Sequence, residues 1–468
     1  MDKRHLGVVG MGVMGKNLAL NAESKGFSAA GFDIDPEKTQ KAAAAVAGKK
    51  ITITNSLKDF VAALERPRRI LLMVPAGKAV DSVLADLRPH LNKDDIVIDG
   101  GNSYFKDTER RVKELEESGL RFFGMGVSGG EEGALHGPSL MPGGHEESYR
   151  HLEPLLTKMA AQTKDGACCT YLGPRGAGHY VKMVHNGIEY GILQLICEVY
   201  DIFKNVLGLS VPEMHKIFAE WNASNLNSYL LEITTLVLGK TDDETGQPLV
   251  EMILDEAKQK GTGKWTAQDS MDLGVAVPTL AYAVEARILS GQKKERAAAA
   301  EVLSGPKEPF SGDLLSFINH LREAYRAAVM VCYAQGFEQL RVASGEYQYN
   351  LNYAEIARIW KGGCIIRAKM LDLIQQSFAM DPALPNLMLS PTFSSTLNKY
   401  SVDLREVVKA ATEVGTPCVA FSTSLGYFDS YRQKRLPANL LQALRDCFGA
   451  HTYHRIDKEG VFHTEWAK

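Results

Sequence analysis

Four side chains in "GHYVKMVHNGIEYG", residues 178–191, have types and spacing that could move protons. Lys182, His185, Asn186 and Glu189 lie at offsets of 0, 3, 4 and 7, so a helix would set them on one face. A lysine partly removed from water has its pKa lowered and can serve as a general base near neutrality. An acid two turns along the same face could handle a second proton. A solvated polar face is the commoner fate of such residues. This stripe, however, opens just after a stretch with the texture of a nucleotide-binding domain, where a cleft between domains would form, and Gly187 interrupts the helix propensity at its middle.

The second constellation is a phosphate-binding turn. "GVVGMGVMGKNLAL" spans Gly10, Met11, Gly12, Val13, Met14 and Gly15 in a GxGxxG spacing, directly after a predicted strand and at the start of a predicted helix. One glycine permits the tight reversal, the next lets backbone approach a pyrophosphate, and the third lets helix pack on strand. The helix N-terminus offers unpaired N–H groups to the phosphates. Eighteen residues after Gly15, "GFDIDPEK" places Asp33, Ile34 and Asp35 where an adenosine ribose would lie.

The elements that must position these groups follow from the pattern. Strand candidates at 5–10, 27–33, 68–74, 95–101, 121–127 and 168–173 alternate with helical stretches, which predicts a parallel, doubly wound Rossmann-type sheet over residues 1–177. From 178 to 434 long amphipathic helices predict an all-α domain, and residues 435–468 form a polar and aromatic tail. The stretches that begin at Lys182 and Phe317 share a texture, as a duplicated helical unit would.

Composition narrows the function classes. With 53 basic against 56 acidic residues, the chain has no electrostatic footprint for nucleic acid or an anionic membrane. No run approaches the length of a membrane span. Seven scattered cysteines make no CxxC pair, which fits a reducing cytoplasm. His451 and His454 have helical spacing, but no carboxylate or cysteine partner stands out beside them, so no metal site is expected.

The stretches "GMGVMG", "IDGGN", "GVSGGEEGALHGPSLMPGG", "GAGHYVKMVHNGIEYG", "DEAKQKGTGKWT" and "FGAHTYHRIDKEGVFHTEW" together resemble the 6-phosphogluconate dehydrogenase family, along essentially the whole chain. The resemblance implies Lys182 as general base and Glu189 as general acid. It implies Asn102 beside substrate and nicotinamide, and Ser128, Gly129 and Gly130 at the sugar-acid end. His185, Asn186 and Tyr190 would contact substrate, with Lys260 and Arg287 on its phosphate. Arg445 and His451 would reach the site of a neighbouring subunit, making the active form a homodimer. No metal is required by this chemistry, because the β-ketone formed on oxidation is the electron sink.

At the ribose the sequence departs from the family. Most members use NADP and carry an arginine in an "NRS" or "NRT" motif; here Asp33, Ile34 and Asp35 stand instead. A lysine often found in "MVKAG" is also missing, since Val74 and Ala76 flank Pro75. A carboxylate about 4 Å from a 2′-phosphate repels it by roughly 1–4 kcal/mol, so NAD is expected over NADP. Lys38 could offset this, and Asp35 before Pro36 could instead cap the next helix. Two other functions stay open: a sister β-hydroxyacid dehydrogenase of another sugar acid, and a dinucleotide sensor without catalysis.

Overall fold

Short apolar runs with no polar alternation become strands covered on both faces. In the computed structural model, which describes residues 2–259, 261–306 and 309–467, these are β1 (Leu6–Val9), β2 (Ala29–Phe32), β3 (Ile51–Ile53), β4 (Arg69–Leu72), β5 (Ile96–Asp99), β6 (Arg121–Ser128) and β7 (Ser139–Gly144). They form one sheet in the order β3-β2-β1-β4-β5-β6-β7. Pairing is parallel through β6, with Val8 opposite both Gly31 and Leu71, and only β7 is antiparallel. The strand order reverses beside β1, and a ligand crevice opens at such a switch point, beyond the carboxyl ends of the strands.

Two strands of this sheet were not expected from the pattern, nor was the separate antiparallel pair Gln162–Thr163 and Gly166–Ala167. β3 is three residues long, and β7 carries Pro142, Gly143 and Gly144, which depress strand propensity. Pro142 is tolerated because β7 is an edge strand, paired in the sheet with β6 alone. The strand expected over 168–173 is absent. That segment runs beside β7 on spaced hydrogen bonds, from Leu140 N–H to the Cys168 carbonyl (2.9 Å) and from Leu172 N–H to the Pro142 carbonyl (2.9 Å). A turn at Ala167–Cys169 and the positive φ of Gly173 (135°) prevent a continuous ladder.

Helix α1 (Val13–Ser24) follows β1, and α2 (Pro36–Ala45) follows β2. Beyond the sheet, a 25-residue helix, Ala177–Asp201, runs through the middle of the helical part and is buried along most of its length. The 33-residue helix Leu314–Glu346 packs along it, and Pro391–Glu413 packs on that in turn. Glycines let the central helix lie directly on the sheet. A Cβ at Gly126 would stand 2.4 Å from Lys182 Cβ, and one at Gly178 would stand 2.2 Å from the Gly124 carbonyl oxygen. The sheet thereby holds the first turns of that helix without intervening side chains.

The tail folds chiefly on itself. Asp446, on the helix Ala438–Gly449, accepts hydrogen bonds from Thr452 N–H, His463 Nδ1, Thr464 N–H and Trp466 Nε1. Leu440, Leu441, Leu444 and Phe448 of the same helix remain exposed. Among the described residues no helix is long and apolar enough to cross a membrane.

Candidate active site

The glycine turn after β1 has the geometry its spacing predicts. Gly10 has φ of 93°, and a Cβ there would meet the Met73 carbonyl oxygen at 2.4 Å. A Cβ at Gly15 would strike the Gly10 carbonyl oxygen at 1.9 Å, so α1 packs against the turn only with glycine present. Gly12 caps α1 and has nothing within 4 Å of its Cβ position. That space, at the N-terminus of a twelve-residue helix, fits a pyrophosphate. Met11 is buried beneath the turn, and Val13 is exposed at its mouth.

A cleft of about 340 Å³ continues from the turn toward the ends of β2 and β4. Gly10, Gly12, Phe32, Asp33, Ile34, Lys38, Met73, Val74 and Pro75 line it. Asp33 is held at both oxygens: Oδ2 accepts from Met11 N–H at 2.7 Å, and Oδ1 from Asp35 N–H at 3.0 Å. Asp35 does not line the cleft. It caps α2, accepting from Glu37 N–H (2.9 Å) and Lys38 N–H (3.4 Å), and these bonds hold its carboxyl below the usual range. Lys38 is the one cation among the described residues lining the cleft, and its Nζ lies 3.7 Å from Asp35. Asp86, from the helix Lys78–Leu87, adds a second carboxylate to the lining; nothing in the local sequence singled it out.

The stripe on the central helix is buried, not a solvated face. Lys182 is 5% exposed, His185 is fully buried, and Asn186 is 9% exposed. Lys182 Nζ donates to Asn186 Oδ1 at 2.8 Å, and Asn186 Nδ2 donates to Thr262 Oγ1 at 3.0 Å. Burial pulls the lysine pKa down, only partly countered by the nearby Glu189 carboxylate. Burial pushes Glu189 up, against Lys182 and Arg287. His185 is driven well below its usual value by burial and by Lys182, so it is neutral. Its Nδ1 lies 3.0 Å from Asn186 Oδ1 and 3.9 Å from Glu189 Oε2, its Nε2 is 3.3 Å from Ser128 Oγ, and Trp360 meets its ring edge-on. Gly187 is required by packing: a Cβ there would lie 2.5 Å from Thr266 Cγ2.

Other expected residues gather around this stripe. The Arg287 guanidinium stacks on the Tyr190 ring at 3.4 Å. Ser128 ends β6, Gly129 has φ of 124°, and a Cβ at Gly129 would meet the Gly363 carbonyl oxygen at 2.6 Å. The segment Gly363–Ile365, which local sequence did not mark, thus backs the serine–glycine turn, with Ile365 N–H reaching Ser128 Oγ at 3.4 Å. Asn102 is exposed in the turn after β5, and Asp99 holds that turn by accepting from Gly101 N–H (3.0 Å) and Ser103 Oγ (2.6 Å). Lys260 lies outside the described residues. Within one chain Arg445 and His451 do not join the stripe: Arg445 donates to Gln442 (3.0 Å), and His451 Nδ1 to the Gly449 carbonyl (2.8 Å), both in the tail. His451 and His454 are not on a helix, and each bonds a backbone carbonyl through Nδ1.

A dry helix face carrying a base and an acid, beside a cleft with a pyrophosphate turn, can oxidise an alcohol and manage two protons. Residues 5–173 match the family described as the NAD binding domain of 6-phosphogluconate dehydrogenase, and residues 178–466 match its C-terminal domain. The chain is 56% identical over its whole length, and that of the relative, to "6-phosphogluconate dehydrogenase, decarboxylating" of Synechococcus elongatus. It is 53% identical, again over all of both chains, to "6-phosphogluconate dehydrogenase, NADP(+)-dependent, decarboxylating" of Bacillus subtilis. The solved 6-phosphogluconate dehydrogenase of Plasmodium falciparum, described apo and with NADP+ or 6-phosphogluconate, superposes with a TM-score of 0.95 at 41% identity, covering all of both chains.

Proposed function

The chain belongs to the 6-phosphogluconate dehydrogenase family, and from that premise we propose Lys182 as its general base, Glu189 as its general acid and NAD as its preferred hydride acceptor. Its activity is the oxidative decarboxylation of 6-phosphogluconate with hydride transfer to a nicotinamide dinucleotide. The observation that supports the residue roles is the opposed effect of burial on the two groups. The lysine is pushed toward its neutral form, and the glutamate toward its protonated form.

A bound dinucleotide would supply the acceptor for the hydride that leaves substrate C3. Neutral Lys182 takes the C3 hydroxyl proton, leaving a 3-keto acid whose carboxylate is β to the new carbonyl. Protonated Lys182 then polarises that carbonyl while the C1–C2 bond breaks and carbon dioxide leaves. Glu189 delivers a proton to substrate C2, which becomes C1 of ribulose 5-phosphate. Neutral His185 and Asn186 hold the lysine amine in place. Ser128, Gly129 and Gly130 hold the sugar-acid end, and Asn102 sits between substrate and nicotinamide. His185, Asn186 and Tyr190 also contact the substrate and Lys260 and Arg287 take its phosphate, so these groups supply positioning and charge without moving protons.

The NAD preference rests on Asp33, fixed at the end of β2 and facing the cleft. Lys38, the one cation among the described residues lining the cleft, is already beside Asp35. Arg445 and His451 complete the site of a second subunit in a homodimer, which is consistent with the exposed apolar face of the tail helix. The chain divides into a dinucleotide domain (1–177), a helical substrate domain (178–434) and this tail (435–468), and it works in the cytoplasm.

The test of the reaction is stoichiometry in deuterated water. The expected result is one carbon dioxide and one ribulose 5-phosphate per dinucleotide reduced, with solvent deuterium at product C1. A product that keeps its carboxylate would place the chain with sister β-hydroxyacid dehydrogenases, and no turnover would make it a sensor.

A further inference from the structure

We propose that Asp86 is a specificity-determining residue for the base of the dinucleotide, accepting a hydrogen bond from the exocyclic amino group of adenine. The proposal rests on the cleft beside Asp33 being the adenosine half of the dinucleotide site. Asp86 lies on the last turn of the helix Lys78–Leu87, whose Ala79, Ser82 and Val83 line the cleft with it. These residues recur at three- and four-residue spacing, so one helix face forms that wall. Ile34, 87% exposed, lines the same cleft from the end of β2, as do Val74 and Pro75 after β4.

A cleft lined by Ile34, Val74, Pro75, Ala79 and Val83, with a carboxylate among its lining residues, suits a heteroaromatic ring. Asp33 occupies the ribose end, and the phosphates belong at Gly12, so a ring held between Ile34 and Val83 presents its outer edge toward the helix end. Adenine carries one exocyclic donor, the 6-amino group, and its ring nitrogens are acceptors. An ionised carboxylate only accepts. No hydrogen bond or ion pair among the described residues engages Asp86, in contrast to Asp33 and Asp35, whose oxygens accept from backbone N–H groups. The carboxylate is therefore available to a ligand.

The probe is nicotinamide hypoxanthine dinucleotide, in which a carbonyl oxygen replaces the 6-amino group, N1 carries the displaced hydrogen, and the ribose and phosphates are unchanged. The full-length enzyme is assayed with 6-phosphogluconate and either dinucleotide. A hydrogen bond to a charged group is worth about 1.5–3 kcal/mol, so kcat/KM should favour NAD over the analogue by roughly ten-fold or more. The side chain in Asp86→Asn can accept from an amino group or donate to a carbonyl, so the preference should collapse toward unity, mainly through KM. Asp86→Ala should lose it as well. Asp86 is exposed and bonds no other described residue, so its replacement leaves the fold intact, and the wild-type ratio is itself decisive. A wild-type ratio near one, or a ratio unchanged in Asp86→Asn, overturns the proposal. If Asp86→Asn instead improves only NADP use, the residue repels a 2′-phosphate and does not recognise the base. The NAD-to-analogue ratio does not involve a 2′-phosphate, so its failure is separate from failure of the NAD preference.

Discussion

The central helix and the ribose end of the dinucleotide cleft both use carboxylates, under opposite conditions. Glu189 is mostly buried beside a buried lysine, and its pKa rises. Asp35, the α2 cap beside that cleft, is only partly covered, accepts backbone N–H bonds, and its pKa falls. Burial tunes a group that must exchange protons, because it makes the charged form costly. Water and backbone N–H donors suit a group that stays charged, as Asp35 does in capping α2 next to Asp33, the carboxylate that faces the cleft. One chain thus keeps a carboxylate that exchanges protons apart from one that stays charged, by how much water each retains.

The largest expected effect strikes the dry side. Lys182→Met removes the base without adding charge, and kcat should fall by about 10²–10⁴-fold with the fold intact, as steady-state rates and circular dichroism would show. Activity within a few-fold of wild type would move the base elsewhere. On the wet side, replacing Asp33, Ile34, Asp35 and Pro75 together with Asn, Arg, Ser and Lys should invert the dinucleotide preference. The ratio of kcat/KM for NADP to that for NAD should rise by about ten-fold or more, from lost repulsion and gained pairing. KM for 6-phosphogluconate should change little.

A smaller effect concerns pH. Activity requires Lys182 neutral and Glu189 protonated, so kcat/KM should follow a bell. Glu189→Gln should remove one limb and slow turnover, while an unchanged bell would exclude Glu189 as a titrating participant. The smallest effect separates burial from catalysis. Glu198, on the same helix, is buried and accepts from Ala420 N–H (2.8 Å) and Phe421 N–H (3.1 Å), and burial pushes it up to about 7. Its contribution to stability is fully present below its ordinary value near 4.5 and is lost as pH rises toward 7. Urea unfolding across that window should show wild type losing roughly 2–3 kcal/mol more than Glu198→Gln. Parallel curves would mean the site adjusts to the charge.

Much of this contrast was legible before the structure, because it is written in local spacing. The glycine turn and Asp33 follow a strand–turn–helix pattern, and Lys182 to Glu189 follow helical periodicity. What escaped depends on tertiary approach. The stripe's burial comes from Gly126 and Gly178 letting the helix onto the sheet, which no local rule reveals. The backing of Ser128 by Gly363–Ile365 joins residues more than two hundred positions apart. Asp86 looked like any charge on an amphipathic helix until the cleft beside it was visible. β7 escaped because Pro and Gly are poor strand formers, though an edge position accommodates them.

The most direct test of the account is the initial rate with 6-phosphogluconate and NAD or NADP in separate assays at one ionic strength. The account predicts a kcat/KM ratio favouring NAD by several-fold or more, set by Asp33 at the ribose. A ratio favouring NADP would contradict it, because the 2′-phosphate would then be paired by Lys38 or by a cation from outside the cleft lining, with Asp33 not deciding the preference.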